Sequence, residues 1–204
     1  MKHSLEILYA TSNFKKFEFL KTLLYKKTDI QINWMNSKSF KVNETNDAKR
    51  NAQIKSVEAS KKINGLVLSS DDNLTFLNPE LSHKSGALIY RNISTERNSA
   101  LIIKHYIDLI KKSNNKTINT ILTSYFAFSM NGNMINTFEY SYEMTLRIPE
   151  QAKLIDDMPL SMLHFLQEKN KFYFELSIDE QIEYHNPLLR IFCDNVENVK
   201  KNSR

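Results

Sequence analysis

Apolar and polar positions follow two periods along this chain, and each change of period marks an element. A short apolar run from Leu5 to Ala10 predicts a strand. Phe17, Leu20 and Leu24 then recur at helical spacing and predict a helix over Phe14–Lys26. Ile30, Ile32 and Trp34 alternate with polar residues, which predicts a second strand over Asp29–Trp34. Ala48, Ala52 and Ala59 give one face of a helix that Asp47 or Asn46 caps and Asn64-Gly65 ends. Their small size suits close packing on a sheet. Leu66-Val67-Leu68 predicts a short buried strand with Asp71-Asp72 at its C-terminal edge, and Asn73 to Asn92 reads as irregular.

Beyond that stretch, Thr95 is the expected cap of a helix running to about Lys112. Thr117–Met130 and Asn133–Ile148 flank Asn131-Gly132, a residue pair that favours a tight hairpin turn. Phe126 and Phe128 alternate on the first strand; Phe138, Tyr140, Tyr142 and Met144 alternate on the second. Such a ladder is expected to pack in a core or an interface rather than to stack a ligand. Asp157 with Pro159 predicts a helix to about Glu168, and Lys171–Ser177 a strand. Asn186-Pro187 opens a last helix with Leu188, Ile191, Phe192, Val196 and Val199 along one stripe. The polar tail from Lys200 is expected to fray. No repeat or linker divides the 204 residues, so a single domain over 1–204 is expected.

Composition narrows the function classes. With 28 basic and 23 acidic residues the net charge is +5, spread without a dense basic run, so no nucleic-acid binding is expected. Cys193 is the single cysteine, which excludes an intramolecular disulfide and a cysteine-based zinc cluster. No apolar run is long enough to cross a bilayer and no signal-peptide pattern opens the chain. The expectation is a cytoplasmic protein without membrane contact.

Three segments carry chemistry. Thr11-Ser12-Asn13 caps the first helix, and Lys15-Lys16 lies in its first turn. Backbone N–H groups and a lysine at a helix start suit a phosphate, although an ordinary capped helix would read the same way. Asn51 and Lys55 stand four apart and share a helix face. Asp71-Asp72 could hold Mg²⁺ and position or deprotonate a water, or simply start a turn.

Taken together, these segments resemble the inosine triphosphate pyrophosphatase family. Ala10-Thr11-Ser12-Asn13-Phe14-Lys15-Lys16 is similar to the family's Ala-Thr-Gly-Asn-x-x-Lys. Asn51-Ala52-Gln53-Ile54-Lys55 is similar to its Glu-Asn-Ala-x-x-Lys, and Glu44-Thr45 to the Glu-Thr upstream. Ser70-Asp71-Asp72-Asn73-Leu74 resembles Ala-Asp-Asp-Ser-Gly-Leu with one residue fewer, and His185 falls where the family has Ser-His-Arg. The resemblance implies an α/β fold: a long, twisted mixed sheet flanked by helices, with two lobes and a central cleft. It implies hydrolysis of non-canonical purine nucleoside triphosphates to monophosphate and pyrophosphate, with Mg²⁺, by a homodimer; the alternative is a nucleotide-binding protein of this fold with weak or no turnover. It also implies roles. Thr11, Ser12, Asn13, Lys16, Asn51 and Lys55 would bind the substrate, with His185 near the purine. Asp72 and Lys16 would be catalytic, and Asp71 with Asp72 would hold the metal. A contact between subunits would use the ladder at Phe138–Tyr142.

The chain also departs from the family at charged positions. Arg50 stands where the family has a metal-binding glutamate, and Glu180 where it has a phosphate-facing lysine. Asn186 replaces an arginine, and the family's Gly-Phe-Gly-Tyr-Asp-Pro loop has only Asp156-Asp157-Met158-Pro159 as its nearest counterpart. The two charge reversals have opposite sign and could compensate one another as an ion pair.

Overall fold

The computed structural model describes residues 6–37, 42–87, 93, 98–150 and 158–202. The chain opens with β1 (Glu6–Ala10), α1 (Phe14–Lys27), β2 (Gln31–Met35), α2 (Ala48–Ser60) and β3 (Leu66–Phe76). It continues with α3 (Ser99–Lys112), β4 (Thr117–Met130), β5 (Asn133–Arg147), α4 (Pro159–Leu163) and β6 (His164–Leu166). It ends with β7 (Lys171–Phe172), α5 (Ile178–Tyr184) and α6 (Asn186–Asn202). Among the described residues seven strands form one sheet in the order β2-β1-β3-β4-β5-β6-β7. β1 pairs in parallel with both β2 and β3, whereas β6 is antiparallel to β5 and β7. The parallel pairs need crossovers, which α1 and α2 supply. A mixed sheet flanked by helices is the expected α/β class.

The chain divides into two compact units. The first comprises the residues up to Asp72, Ser124–Tyr140 and those from Ile182 on. In its parallel strands Tyr9 lies beside Trp34 on one side and Leu68 on the other, so these three side chains share a sheet face. α1 covers that face and buries Phe17, Leu20, Leu23 and Leu24. Ala10 and Val67 project to the opposite face and cluster with Ala59 of α2. Small buried residues at Ala52, Ser56, Ala59 and Ser60 let α2 lie close to the strands. Asn131 (φ 52°) and Gly132 (φ 78°) make the hairpin turn, both in the left-handed region that a two-residue turn of this hand requires. The Gly132 N–H donates to the Ser60 hydroxyl at 3.0 Å, tying the turn to the end of α2. In this unit Phe126, Phe128 and Tyr140 of the ladder are buried and Phe138 is half-buried. Phe138 stacks on Phe126 at 4.9 Å, and Phe192 of α6 meets Phe126, Phe128 and Phe138 at steep angles.

The second unit comprises Asn73–Thr123 and Ser141–Gln181. Leu74, Phe76, Ile102, Tyr106, Ile110, Ile118, Met144, Leu146 and Leu163 belong to its core cluster. Asn98 caps α3, accepting the Leu101 N–H at 3.1 Å; Thr95, the expected cap, lies outside the described residues. The helix expected from Asp157 to Glu168 is shorter. It closes at Leu163, because His164 pairs with Leu146 and turns the chain into β6; Asp157 itself lies outside the described residues. The strand expected over Lys171–Ser177 reduces to Lys171–Phe172, followed by a 3₁₀ turn at Tyr173–Glu175. α5 is an addition to the expected elements. Ser177 and Glu180 form its reciprocal capping box: the Glu180 carboxylate accepts the Ser177 N–H at 2.8 Å, and the Ser177 hydroxyl accepts the Glu180 N–H at 3.2 Å.

β3 also differs from expectation, and the difference matters for the site. It runs eleven residues rather than ending after Leu68, so Asp71 and Asp72 lie inside a strand and not at its edge.

Candidate functional site

The opening turn is held from three directions. Thr11 N–H donates to Met35 O at 3.1 Å, the hydroxyl of Thr11 accepts Asn13 N–H at 3.1 Å, and Thr11 O accepts the Trp34 Nε1–H at 3.0 Å. The Asn13 carboxamide then caps α1 by accepting Lys16 N–H at 3.1 Å. Thr11 and Asn13 are buried while Ser12 is exposed. This geometry fixes the first turn of α1, and with it the side chain of Lys16.

Lys16 reaches Asp72, Nζ to Oδ2 at 2.7 Å, with the two side chains 22% and 24% exposed. The other Asp72 oxygen accepts the Ser124 hydroxyl at 2.8 Å. Burial pushes the Asp72 carboxyl up, but the charge and hydrogen bond of Lys16, the Ser124 hydroxyl and the charge of Lys55 together hold it below the usual carboxylate range. Burial pulls the Lys16 ammonium down; the charges of Asp72, Tyr9 and Asp71 and the hydrogen bond to Asp72 together outweigh that and leave it raised above an ordinary lysine. Beneath the pair, the Tyr9 phenol shares a hydrogen bond with the Ser70 hydroxyl, and burial pushes it up to about 12.

Asp71 belongs to the other face of β3. Its Oδ1 accepts Lys55 Nζ at 3.1 Å and its Oδ2 accepts the Asn51 amide at 2.7 Å. Lys55 also donates to Ser70 O at 2.9 Å and lies 3.4 Å from Glu44 Oε1. Asn51 is fully buried and its amide is fully used: it donates to Thr45 O and Asp71, and it accepts the Thr45 N–H and hydroxyl. Asn51, expected as a substrate ligand, ties the segment before α2 to Asp71.

Six of the expected residues, Thr11, Asn13, Lys16, Lys55, Asp71 and Asp72, are therefore linked directly or through Asn51, Ser70 and Tyr9. His185 is placed among rings, edge-on to Phe19 and Tyr184 at 4.9 Å and near Tyr140 at 6.3 Å. Arg50 is exposed on α2. Glu180 is committed within the second unit, to its capping box and to Lys171 at 3.4 Å. Ser124 and Tyr9 were not singled out from sequence. Tyr9 is the one hydroxyl of an apolar strand and Ser124 is one of several hydroxyls along β4, so neither stands out locally.

A resident Mg²⁺ does not fit this donor set. All four oxygens of Asp71 and Asp72 already accept hydrogen bonds, and the two carboxylates engage helices on opposite faces. Among the described residues no group of three His, Cys, Asp or Glu side chains comes together. No helix among the described residues is long and apolar enough to cross a membrane.

No protein-family model and no curated protein matches this chain. Solved structures do. A HAM1 protein from Coxiella burnetii is similar with a TM-score of 0.64 at 17% identity, covering 91% of this chain and 98% of its own. The Ham1 protein of Staphylococcus aureus has a TM-score of 0.64 at 18% identity, covering 93% and 98%. A nucleoside-triphosphatase, dITP/XTP pyrophosphatase, from Mycobacterium abscessus has 0.60 at 18%, covering 94% and 98%. At this identity the likeness establishes the fold, and the fold is that of the Ham1 proteins.

Proposed function

We propose that this chain is a nucleoside triphosphate pyrophosphatase, cleaving its substrate to a monophosphate and pyrophosphate. The observation that carries the reading is the Lys16–Asp72 ion pair at the start of α1. A triphosphate is the kind of anion that would draw Lys16 away from Asp72. The first N–H groups of α1 add their partial positive charge to the same place. Once its lysine faces phosphate, Asp72 loses its strongest stabilising partner and becomes more basic, so it can take a proton from an attacking water. Lys16 meanwhile offsets the charge that builds on the phosphoryl oxygens. Lys55, Asn51 and Glu44 hold Asp71 and the neighbouring backbone in register. In this scheme the base is switched on by substrate and stays quiet without it. The Ham1 fold, shared with the dITP/XTP pyrophosphatase of Mycobacterium abscessus, supports this reading by analogy. Non-canonical purines, such as inosine and xanthosine triphosphates, are the proposed substrates.

The second reading is a nucleotide-binding protein of the same fold with weak or no turnover. Arg50, a cation where the resembled family has a metal-binding glutamate, favours it, as do carboxylates that are already engaged. Pyrophosphate release from a panel of canonical and deaminated triphosphates, with Mg²⁺ or Mn²⁺, separates the two. Release that disappears in Asp72→Asn supports the enzyme. Measurable nucleotide binding without release from any member of the panel supports the binder.

A further inference from the structure

The face of the sheet that carries Asp72 also carries an exposed aromatic pair that the proposed chemistry does not use. Trp34 lies in register with Tyr9 and Leu68, and so projects to the same face as Ser70 and Asp72. Phe14, the first residue of α1, meets it edge to face with ring centroids 5.0 Å apart. Both rings stay open to solvent, Phe14 at 42% and Trp34 at 40% exposure. Most large apolar side chains in this unit are buried, so two adjoining exposed rings are unusual.

The pair is held in place. The indole Nε1–H is fixed on Thr11 O, in the turn that caps α1, and Phe14 packs against Phe17 at 5.7 Å. The rings therefore keep their positions without a ligand, which lowers the ordering cost of binding one. Phe14 also opens the turn that holds Lys15, paired with Glu18 at 2.8 Å, and Lys16, paired with Asp72 at 2.7 Å. An aromatic surface beside a cationic turn is complementary to a molecule with a flat π-system joined to an anion.

We infer that Phe14 and Trp34 form a stacking platform for the nucleobase of a nucleotide whose phosphates lie at the Thr11–Lys16 turn. This rests on the triphosphate reading above and adds the substrate's other end. The platform has no means of reading the base. Phenylalanine has no polar group, and the single indole N–H is already used on Thr11 O. Stacking on it is tolerant of base identity. Selection among purines must then come from elsewhere, and the platform itself accepts adenine and hypoxanthine alike.

Trp34 is the only tryptophan in the chain, so its fluorescence reports on the platform directly. The full chain is titrated with ATP, inosine triphosphate and inorganic tripolyphosphate, with affinities also measured by calorimetry. Both nucleotides are expected to quench Trp34, with affinities within about threefold of each other. Tripolyphosphate is expected to compete with them and leave the emission unchanged. Phe14→Ala should weaken both nucleotides by about tenfold and tripolyphosphate by less than about twofold, while Phe14→Tyr retains binding. Nucleotides that bind by calorimetry yet leave both Trp34 emission and the Phe14→Ala affinity unchanged would overturn the platform and leave the triphosphate reading standing. Equal quenching by tripolyphosphate would overturn it too, as would an emission change that follows protein concentration alone, which assigns the rings to self-association. If neither nucleotides nor tripolyphosphate bind, the platform and the reading it rests on both fall.

Discussion

Asp71 and Asp72 are neighbours in sequence, yet their carboxylates are held by lysines from different helices, Lys55 of α2 and Lys16 of α1. Consecutive residues in a strand point to opposite faces, so the pair cannot act as one two-carboxylate unit. One aspartate is built into a frame with Asn51 and Glu44 close by. The other is bonded, among the described residues, to Lys16 and Ser124, and it is the one the proposed scheme uses as base.

The Lys16–Asp72 pair makes a measurable contribution to stability. Lys16→Met leaves a mostly buried carboxylate without its cation and should cost about 1–3 kcal/mol in urea unfolding, less than a fully buried pair because a quarter of each side chain reaches water. The double variant Lys16→Met/Asp72→Leu removes both charges and should recover most of that loss. A loss in the double variant equal to the sum of the losses in Lys16→Met and Asp72→Leu alone would show that the pair is not coupled.

Asp72 also sets a pH dependence. Its folded value is depressed by its partners despite burial, so its contribution is fully present above the unfolded carboxylate value of about 3.9 and is lost as pH falls through the folded value. Asp72→Asn should flatten the acid limb of stability below about pH 4. Ser124→Ala removes a donor to the carboxylate, which raises its basicity. The acid limb of pyrophosphate release should therefore move to higher pH in Ser124→Ala, with the basic limb unchanged.

His164 gives a second titration, in the other unit. It is 3% exposed, stacked on Tyr173 at 5.6 Å, and burial pulls its imidazole down to about 4. Between the unfolded value of about 6.5 and that folded value, the unfolded chain binds a proton that the folded one refuses. Stability should fall by roughly 2–3 kcal/mol on acidification from pH 7 to pH 4.5. His164→Phe should lose that dependence, read from urea midpoints at the two pH values.

Gly132 is the turn position least able to accept a side chain. Its φ of 78° is disfavoured for other residues, and an added Cβ would come within 3.0 Å of Lys61 Cγ. Gly132→Ala should lower stability by about 1–2 kcal/mol. Asn131→Gly, at φ 52°, should change it little.

The parts of the fold with a strong period were legible: β1, α1, β2, α2 and the long hairpin stand within a few residues of their expected bounds. Thr11–Lys16, Asn51, Lys55 and Asp71-Asp72 were also readable as one group, because each lies in a short segment similar to a motif of the resembled family. β3 was read short because Ser69 to Asn73 interrupts its apolar pattern. The strand continues there on tertiary ties, from Lys55 to Ser70 O and from Asn51 to Asp71, which no local window contains. α5 was missed although Ser177-Ile178-Asp179-Glu180 spells a capping box, because Lys171 to Ser177 reads as one continuous strand. Ser124 was missed, and the tie from Asn51 to Asp71 was not foreseen, for a common reason: their partners are 52 and 20 residues away.

Placing Asp71 and Asp72 inside an eleven-residue strand has a consequence for timing. A catalytic carboxylate on a loop waits for that loop to close, commonly over microseconds to milliseconds. Here the carboxylates are fixed by the sheet, and in the proposed scheme the moving part is the side chain of Lys16. Side-chain rotations belong to the picosecond-to-nanosecond range when exposed. The Lys16 side chain is only 22% exposed, so its exchange between aspartate and phosphate would be slower than that of a free surface lysine, yet it would need no loop to move.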